Sequence, residues 1–303
     1  MPVAKEKEKK VGLVKKLPPL AKRKEDTHKG DYGRVLVLAG SLGMTGAAYL
    51  CSEAVLRAGA GLVTLGIPES LNPIVASKLT CVITMPLPET PQRTLSYRAR
   101  EEILKASEKV QVVVMGPGLS KNPETRMLIL WLLETLPAKL VIDADGVNAL
   151  AERPSLLRKI RDIILTPHPG EMAHLTGLGS SGEVQTRRRE VATQFVKEYP
   201  NVTLVLKGHK TLVVDNKRLY INLTGNPGMA SAGTGDVLTG LIAGLWAPGG
   251  LAAFEAAQLG VYLHGLAGDI ARNEKGETSL IATDVLDALP KAFLAYKRKS
   301  RRS

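Results

Sequence analysis

Short, almost wholly apolar runs rich in Val, Ile and Leu alternate along this chain with segments of helical periodicity. The runs span 34–39, 62–66, 110–115, 140–142, 163–165 and 203–206. Between them, 47–58, 101–107, 124–134 and 183–197 carry apolar residues at helical spacing. A strand with one wet face alternates apolar with polar residues, and these strands do not, so both faces must be covered. Strands of that kind separated by helices predict an α/β fold built of βαβ units around a parallel sheet. Further along, 212–215 and 219–223 flank Asn216 and Lys217, which predicts a hairpin and an antiparallel edge. Helices follow at 236–246, 252–273 and 283–289, and no repeat or internal linker divides the chain.

The net charge of +12 invites a nucleic-acid reading, but its placement argues against one. Residues 1–30 hold ten Lys or Arg against four acids, and 291–303 hold six against none, leaving 25 of each sign in the body. The predicted organisation is a domain over 28–295 with basic, solvated tails at 1–27 and 296–303. Cys51 and Cys81 lack metal-ligand spacing and read as buried, reduced thiols. The lysine-rich start is no signal peptide, and stretches such as 237–247 are too short to span a bilayer. The expected protein is soluble and cytoplasmic, without membrane or nucleic-acid partners.

Several strand ends run into small or acidic residues: GSLGMTG, GPG, DADG and TPHPGE. In open parallel sheets, ligands bind at the carboxyl ends of strands. The strongest signal is the loop GNPGMASAGTGD, residues 225–236. Gly233 and Gly235 let backbone N–H groups converge on an anion, and the apolar helix that follows adds the positive end of its dipole. Asp236, at that helix start, is placed to take a proton from an attacking hydroxyl. The competing explanation is a plain helix cap made by Thr234 or Asp236. Neither a GxxxxGK[ST] nor a GxGxxG fingerprint is present, so a P-loop and a dinucleotide-binding Rossmann unit are disfavoured.

HPGEMAH offers His168, Glu171 and His174, but Pro169 and Gly170 interrupt the helix that a three-ligand metal site would need. Glu171 reaching Mg²⁺ through water suits that ion's sparse carboxylate chemistry better, with His168 pointing at substrate and His174 an ordinary helix residue. KGHKT, 207–211, offers cationic and backbone donors to a nucleotide, or forms a simple strand-to-strand turn.

Taken together, HKGDYGRVLVLAGSLGMTGAAYL, VMGPGL, VIDADGVNAL, LTPHPGE, LKGHKT and GNPGMASAGTGDVLTG resemble, in this order, the NAD(P)H-hydrate dehydratases. The resemblance runs from about His28 to the region of Ile281 and Asp284 and implies a ribokinase-like three-layer αβα fold with a mostly parallel central sheet. It implies a hydro-lyase that repairs the S-form of hydrated NADH or NADPH, phosphorylating the ring hydroxyl with ADP and then losing phosphate. Ala47, Gly118, His168 and Asp236 would contact the hydrated dinucleotide, with Asp236 catalytic. Lys207, Gly208, His209, Lys210 and Thr211 would hold ADP. So would Asn226, Pro227, Gly228, Met229, Ala230, Ser231, Ala232, Gly233, Thr234 and Gly235. Mg²⁺ is the implied cofactor, held by Glu171 through water, although related sugar kinases carry Asn where this chain has His168. An epimerase on a separate chain and a homotetramer are also implied. The alternative is a ribokinase-like kinase that uses ATP on a hydroxymethylpyrimidine or hydroxyethylthiazole and releases a stable phosphate ester. A non-catalytic nucleotide-sensing or nucleic-acid-binding protein is a second alternative, prompted by the basic ends.

Overall fold

The apolar runs pair as their composition requires. A computed structural model describes residues 11–300, in which ten strands form one sheet. They are β1 (Gly12–Leu13), β2 (Arg34–Leu38), β3 (Leu62–Pro68), β4 (Ile83–Leu87), β5 (Val112–Met115), β6 (Lys139–Ile142), β7 (Ile163–Leu165), β8 (Val202–Leu206), β9 (Leu212–Val214) and β10 (Arg218–Ile221). Their order is β1-β10-β9-β8-β7-β6-β5-β2-β3-β4. Neighbours run parallel except where β9 opposes β8 and β10. The helices are α1 (Thr45–Arg57), α2 (Asn72–Ala76), α3 (Arg100–Ser107), α4 (Pro123–Thr135), α5 (Ala144–Leu150), α6 (Pro169–Thr176), α7 (Ser181–Thr186), α8 (Arg188–Glu198), α9 (Thr234–Trp246), α10 (Ala253–Lys275) and α11 (Ala282–Ser300).

Residues of one strand divide between two cores, as the period of two dictates. Val112 and Val114 join Val55, Leu241, Ile242 and Leu263 on one face. Val113 and Met115 join Ile103, Leu128, Leu132 and Val191 on the other. Helices α1, α9, α10 and α11 therefore cover one side and α3 to α8 the other, a three-layer sandwich. The chain adds strands in one direction through β2, β3 and β4, then returns to place β5 beside β2 and continues the other way. That reversal puts a crevice beyond the carboxyl ends of β2 and β5.

Residues 11–27 do not form the expected tail. β1 pairs parallel with β10 and covers the edge that the hairpin would otherwise expose. The buried Gln258 amide donates to the Lys16 carbonyl, and the Tyr296 hydroxyl to that of Pro18. Arg23 donates to the Gly59 carbonyl and lies 3.9 Å from the centre of the Tyr32 ring. Val14, Leu17 and Leu20 pack on the α10–α11 face. The C-terminal boundary also moves, because α11 continues through Ser300 with Tyr296 only 5% exposed. In both places apolar residues spaced among the charges dock while the charges stay wet. The expected tail residues 1–10 and 301–303 lie outside the described residues. Removing residues 1–21 is expected to cost about 2–3 kcal/mol of stability relative to removing 1–10 alone, by the loss of buried contacts and two hydrogen-bond partners. Thermal unfolding of the two truncations tests this, and equal melting temperatures would show that the strap adds nothing.

Three smaller expectations also change. The helix over 183–197 breaks at Arg187, whose φ of −117° and ψ of 26° separate α7 from α8. Pro169 and Gly170 do not interrupt a helix but open α6, the position where proline's missing N–H costs nothing. Of the two free cysteines Cys51 is buried, but Cys81 is exposed. Among the described residues, no helix is long and apolar enough to cross a membrane.

Candidate active site

The first turn of α9 decides between a binding site and a plain cap. Gly233 precedes it at φ 89°, and no side chain caps the helix. The Thr234 hydroxyl turns back to donate to the Met229 and Ser231 carbonyls, so it holds the loop. Helices α4 and α6, by contrast, have their free N–H groups taken by Asn122 and His168. An uncapped helix start carrying a glycine pair offers its N–H groups and dipole to an anion. The capping explanation for the AGTGD loop is therefore set aside.

A cavity of about 560 Å³ opens beside this turn. Lys207, Gly208, His209, Lys210 and Thr211 form one wall, and Asn226, Pro227, Met229, Ala230, Thr234 and Gly235 another. Asn222, Thr224, Gly225, Leu238, Val261, His264 and Gly265 complete it. Most of the residues expected to hold a nucleotide thus converge, while Gly228, Ser231, Ala232 and Gly233 stand outside the lining. The segment 207–211 is the turn from β8 to β9, with Lys210 at φ 54°, and the same turn lines the cavity. Two side chains from α10 shape the loop. Asp269 accepts from the Gly225 N–H and from the Asn226 amide, at 2.9 and 3.0 Å. His264 Nε2 lies 2.9 Å from the Thr234 carbonyl, to which it donates. Burial pulls that imidazole down to about 4, so it is neutral at pH 7.

On the other side of α9 the crevice between β2 and β5 brings Ala47 and Gly118 together. A side chain on Gly118 would begin 3.0 Å from the Ala47 Cβ. The Ser41 hydroxyl donates to the Gly118 carbonyl at 2.8 Å and ties the two loops. His168 caps α6 and keeps about half of its side chain exposed. Its Nδ1 accepts from the N–H groups of Gly170 and Glu171, and its Nε2 lies 3.2 Å from a Glu171 oxygen. Burial and the Lys207 charge hold its pKa below the ordinary value, which keeps Nδ1 an acceptor. His174 is a residue of α6, as expected.

Between the two sides lies a buried group of charges. Lys207 Nζ donates to Asp143 at 2.6 Å and lies 3.9 Å from Glu171. The Thr239 hydroxyl donates to the other Asp143 oxygen at 2.7 Å. Burial, and then the Asp143 charge, raise Asp236 to about 7 against the pull of Lys207. Burial also raises Glu171 to about 7, with Lys207 pulling down and Asp143 pushing up. Burial alone would lower Lys207, but Asp143 and Glu171 more than reverse it, so the amine stays charged. An acid titrating near neutrality beside an anion hole is poised to act as a base.

The sequence profile described as NAD(P)H-hydrate dehydratase matches residues 35–291. The chain belongs to the NAD(P)H-hydrate dehydratase family. A bifunctional NAD(P)H-hydrate repair enzyme of Moorella thermoacetica is 47% identical over 273 residues, covering 89% of this chain and 51% of that protein. An ADP-dependent (S)-NAD(P)H-hydrate dehydratase of Neisseria meningitidis serogroup B is 36% identical, over 88% of this chain and 86% of that one. The crystal structure of an ADP/ATP-dependent NAD(P)H-hydrate dehydratase from Bacillus subtilis, co-crystallized with ATP/Mg²⁺, superposes with a TM-score of 0.77 at 30% identity, covering 91% and 94% of the two chains. The chain spans about half the length of the bifunctional relatives it matches. The three-layer arrangement is the ribokinase-like fold of this family. In this member, the dehydratase family's AGTGD loop supplies an open helix start with an acid on it. Asp143, the strand-end acid of DADG, lies beside that loop, as do Asp269 and His264, which the sequence did not single out.

Proposed function

We propose that this chain dehydrates the S-form of hydrated NADH or NADPH at the expense of ADP, giving the reduced cofactor, AMP and phosphate. The observation that carries the proposal is the uncapped start of α9, with Asp236 on one side and the nucleotide cavity on the other. Asp236 takes the proton of the ring hydroxyl, whose oxygen attacks the terminal phosphorus of ADP. The bridging P–O bond breaks, and AMP leaves with its electron pair. The ring nitrogen's lone pair then expels phosphate, and loss of a ring proton restores the reduced nicotinamide. Hydroxide is a poor leaving group and phosphate a good one, which is why the nucleotide is consumed. The helix start stabilises charge on the transferring group, and positioning does most of the rest.

The dinucleotide would meet Ala47, Gly118 and the exposed edge of His168, and the nucleotide would lie along 207–211 and 226–235. Preference for ADP is supported by the name of the Neisseria relative, while the Bacillus relative is named for both nucleotides. Among the described residues no group of three His, Cys, Asp or Glu can hold a metal ion. The donor set fits Mg²⁺ only alongside phosphate oxygens, with Glu171 reaching through water. Bound in that way, the ion would supply neutralising charge to the phosphates. An epimerase that interconverts the two hydrate forms is the companion this reading needs, and tetrameric assembly is part of the proposal.

The test mixes the purified chain with Mg²⁺, ADP and S-hydrated NADH and follows the absorbance of regenerated NADH. Recovery with ADP, slower with ATP, is the expected result. No recovery with either nucleotide sinks the reading, and a stable phosphorylated product would favour the hydroxyl-kinase alternative.

A further inference from the structure

The buried Asp143 takes no part in the proposed reaction steps. It closes β6 with 1% of its surface exposed, and both its oxygens are engaged, one by Lys207 and one by Thr239. The next residue, Ala144, stands at φ 46°, a conformation that persists only where the surroundings impose it. Thr239 lies one turn beyond Asp236 on α9, and Lys207 follows the last residue of β8. One carboxylate therefore ties the ends of two strands to the first turns of α9. The ammonium it holds is 3.5 Å from the point where a side chain on Gly235 would begin. Lys207 also lines the nucleotide cavity. The cation thus stands between that cavity and the proposed base.

We infer that Asp143 is a positioning residue that fixes the Lys207 ammonium across the first turn of α9, where it neutralises the phosphoryl group passing from nucleotide to hydroxyl. The inference rests on the phosphoryl transfer proposed above. Negative charge spreads over the non-bridging oxygens during transfer, and a cation already in place costs no reorganisation at that moment. An unanchored lysine at a strand end would swing between rotamers, whereas Asp143, buried and held by Thr239, keeps the ammonium at one place, 3.9 Å from Glu171. An ammonium has three donors, and with one spent on Asp143 the others remain for phosphate oxygens. Lys207 forms no covalent bond and keeps its proton.

A double-mutant cycle on the full chain tests the inference with ADP and hydrated NADH. Asp143→Asn is expected to lower kcat about 100-fold, the scale of losing one preorganised charge-stabilising group. The KM for ADP should stay within about threefold, and Lys207→Met should lose at least as much kcat. Combining the two should cost no more than about threefold beyond Lys207→Met alone, because Asp143 acts through the lysine. Losses that multiply would show that Asp143 acts independently and would overturn the inference. If Asp143→Asn does not fold, Thr239→Val removes one anchor and keeps both charges. It should lower kcat several-fold at an unchanged melting temperature, and an unchanged kcat also overturns the inference. Wild-type protein that regenerates no NADH refutes the parent reading and takes this one with it. Active wild type with an equally active Asp143→Asn refutes the positioning role alone.

Discussion

Replacing Asp236 by Asn is expected to lower kcat by about 10³-fold, within the range of a lost general base, while ADP binding changes by less than about threefold. The amide is nearly isosteric, and the N–H groups at the start of α9 and the cavity walls are untouched, so the nucleotide keeps its contacts. What disappears is the only acid of the AGTGD loop able to take the hydroxyl proton. In the wild type that acid titrates near 7, because burial and the Asp143 charge oppose its ionisation. Since the base must be ionised, kcat at saturating substrate should rise as pH climbs through about 7 and then level off. The residual activity of Asp236→Asn should lack this rise. Stopped assays across pH, with calorimetric titration of ADP, read both quantities. Retained turnover would remove Asp236 as the base, and lost ADP binding would assign it a nucleotide contact instead. The same burial has a stability consequence of fixed sign. Asp236 and Glu171 have folded-state values raised to about 7. The folded protein therefore holds protons that the unfolded chain has released. Their contribution is full below the ordinary carboxyl range and is lost as pH rises through about 7.

The sheet was legible where strands are covered on both faces, as for β5 and β8, since burial on both sides writes an uninterrupted apolar run. It was not legible at its margins. β4 carries Pro86 and half-exposed residues, compatible with the edge but unlike a buried strand in sequence. β1 has only two residues, set among lysines. In the site, GPG, TPHPGE and AGTGD each announced a local chain reversal and so could be found by reading along the chain. Asp143 was visible inside DADG as a strand-end acid, yet its meaning comes from Lys207, 64 residues later, and Thr239, 96 later. Only the strand order brings those three together. Asp269 and His264 sit within a 23-residue helix, where nothing local separates them from any other polar helical position.

Gly116→Ala is expected to remove about 3–5 kcal/mol of stability, near the upper limit for a single substitution. Two costs combine there. Gly116 stands at φ 134°, outside the backbone conformations open to alanine. A Cβ would also lie 1.8 Å from the Asp143 carbonyl oxygen and 2.9 Å from the Gly146 nitrogen. Both obstacles are backbone, so no side-chain rotation relieves them. The end of β5 must separate from the end of β6, where Asp143 N–H donates to the Met115 carbonyl. That movement displaces Gly118, two residues on, and Asp143 with the lysine it holds, so activity should fall even in protein that remains folded. Gly177→Ala is the control. Its φ is 70° but nothing lies within 4 Å of the added carbon, so only conformational strain of about 1–2 kcal/mol applies. Chemical denaturation of the two variants compares a blocked close approach with bare strain. If Gly116→Ala unfolds at the same midpoint as Gly177→Ala, β5 and β6 do not approach as closely as this geometry requires, and the wedge holding Asp143 is absent.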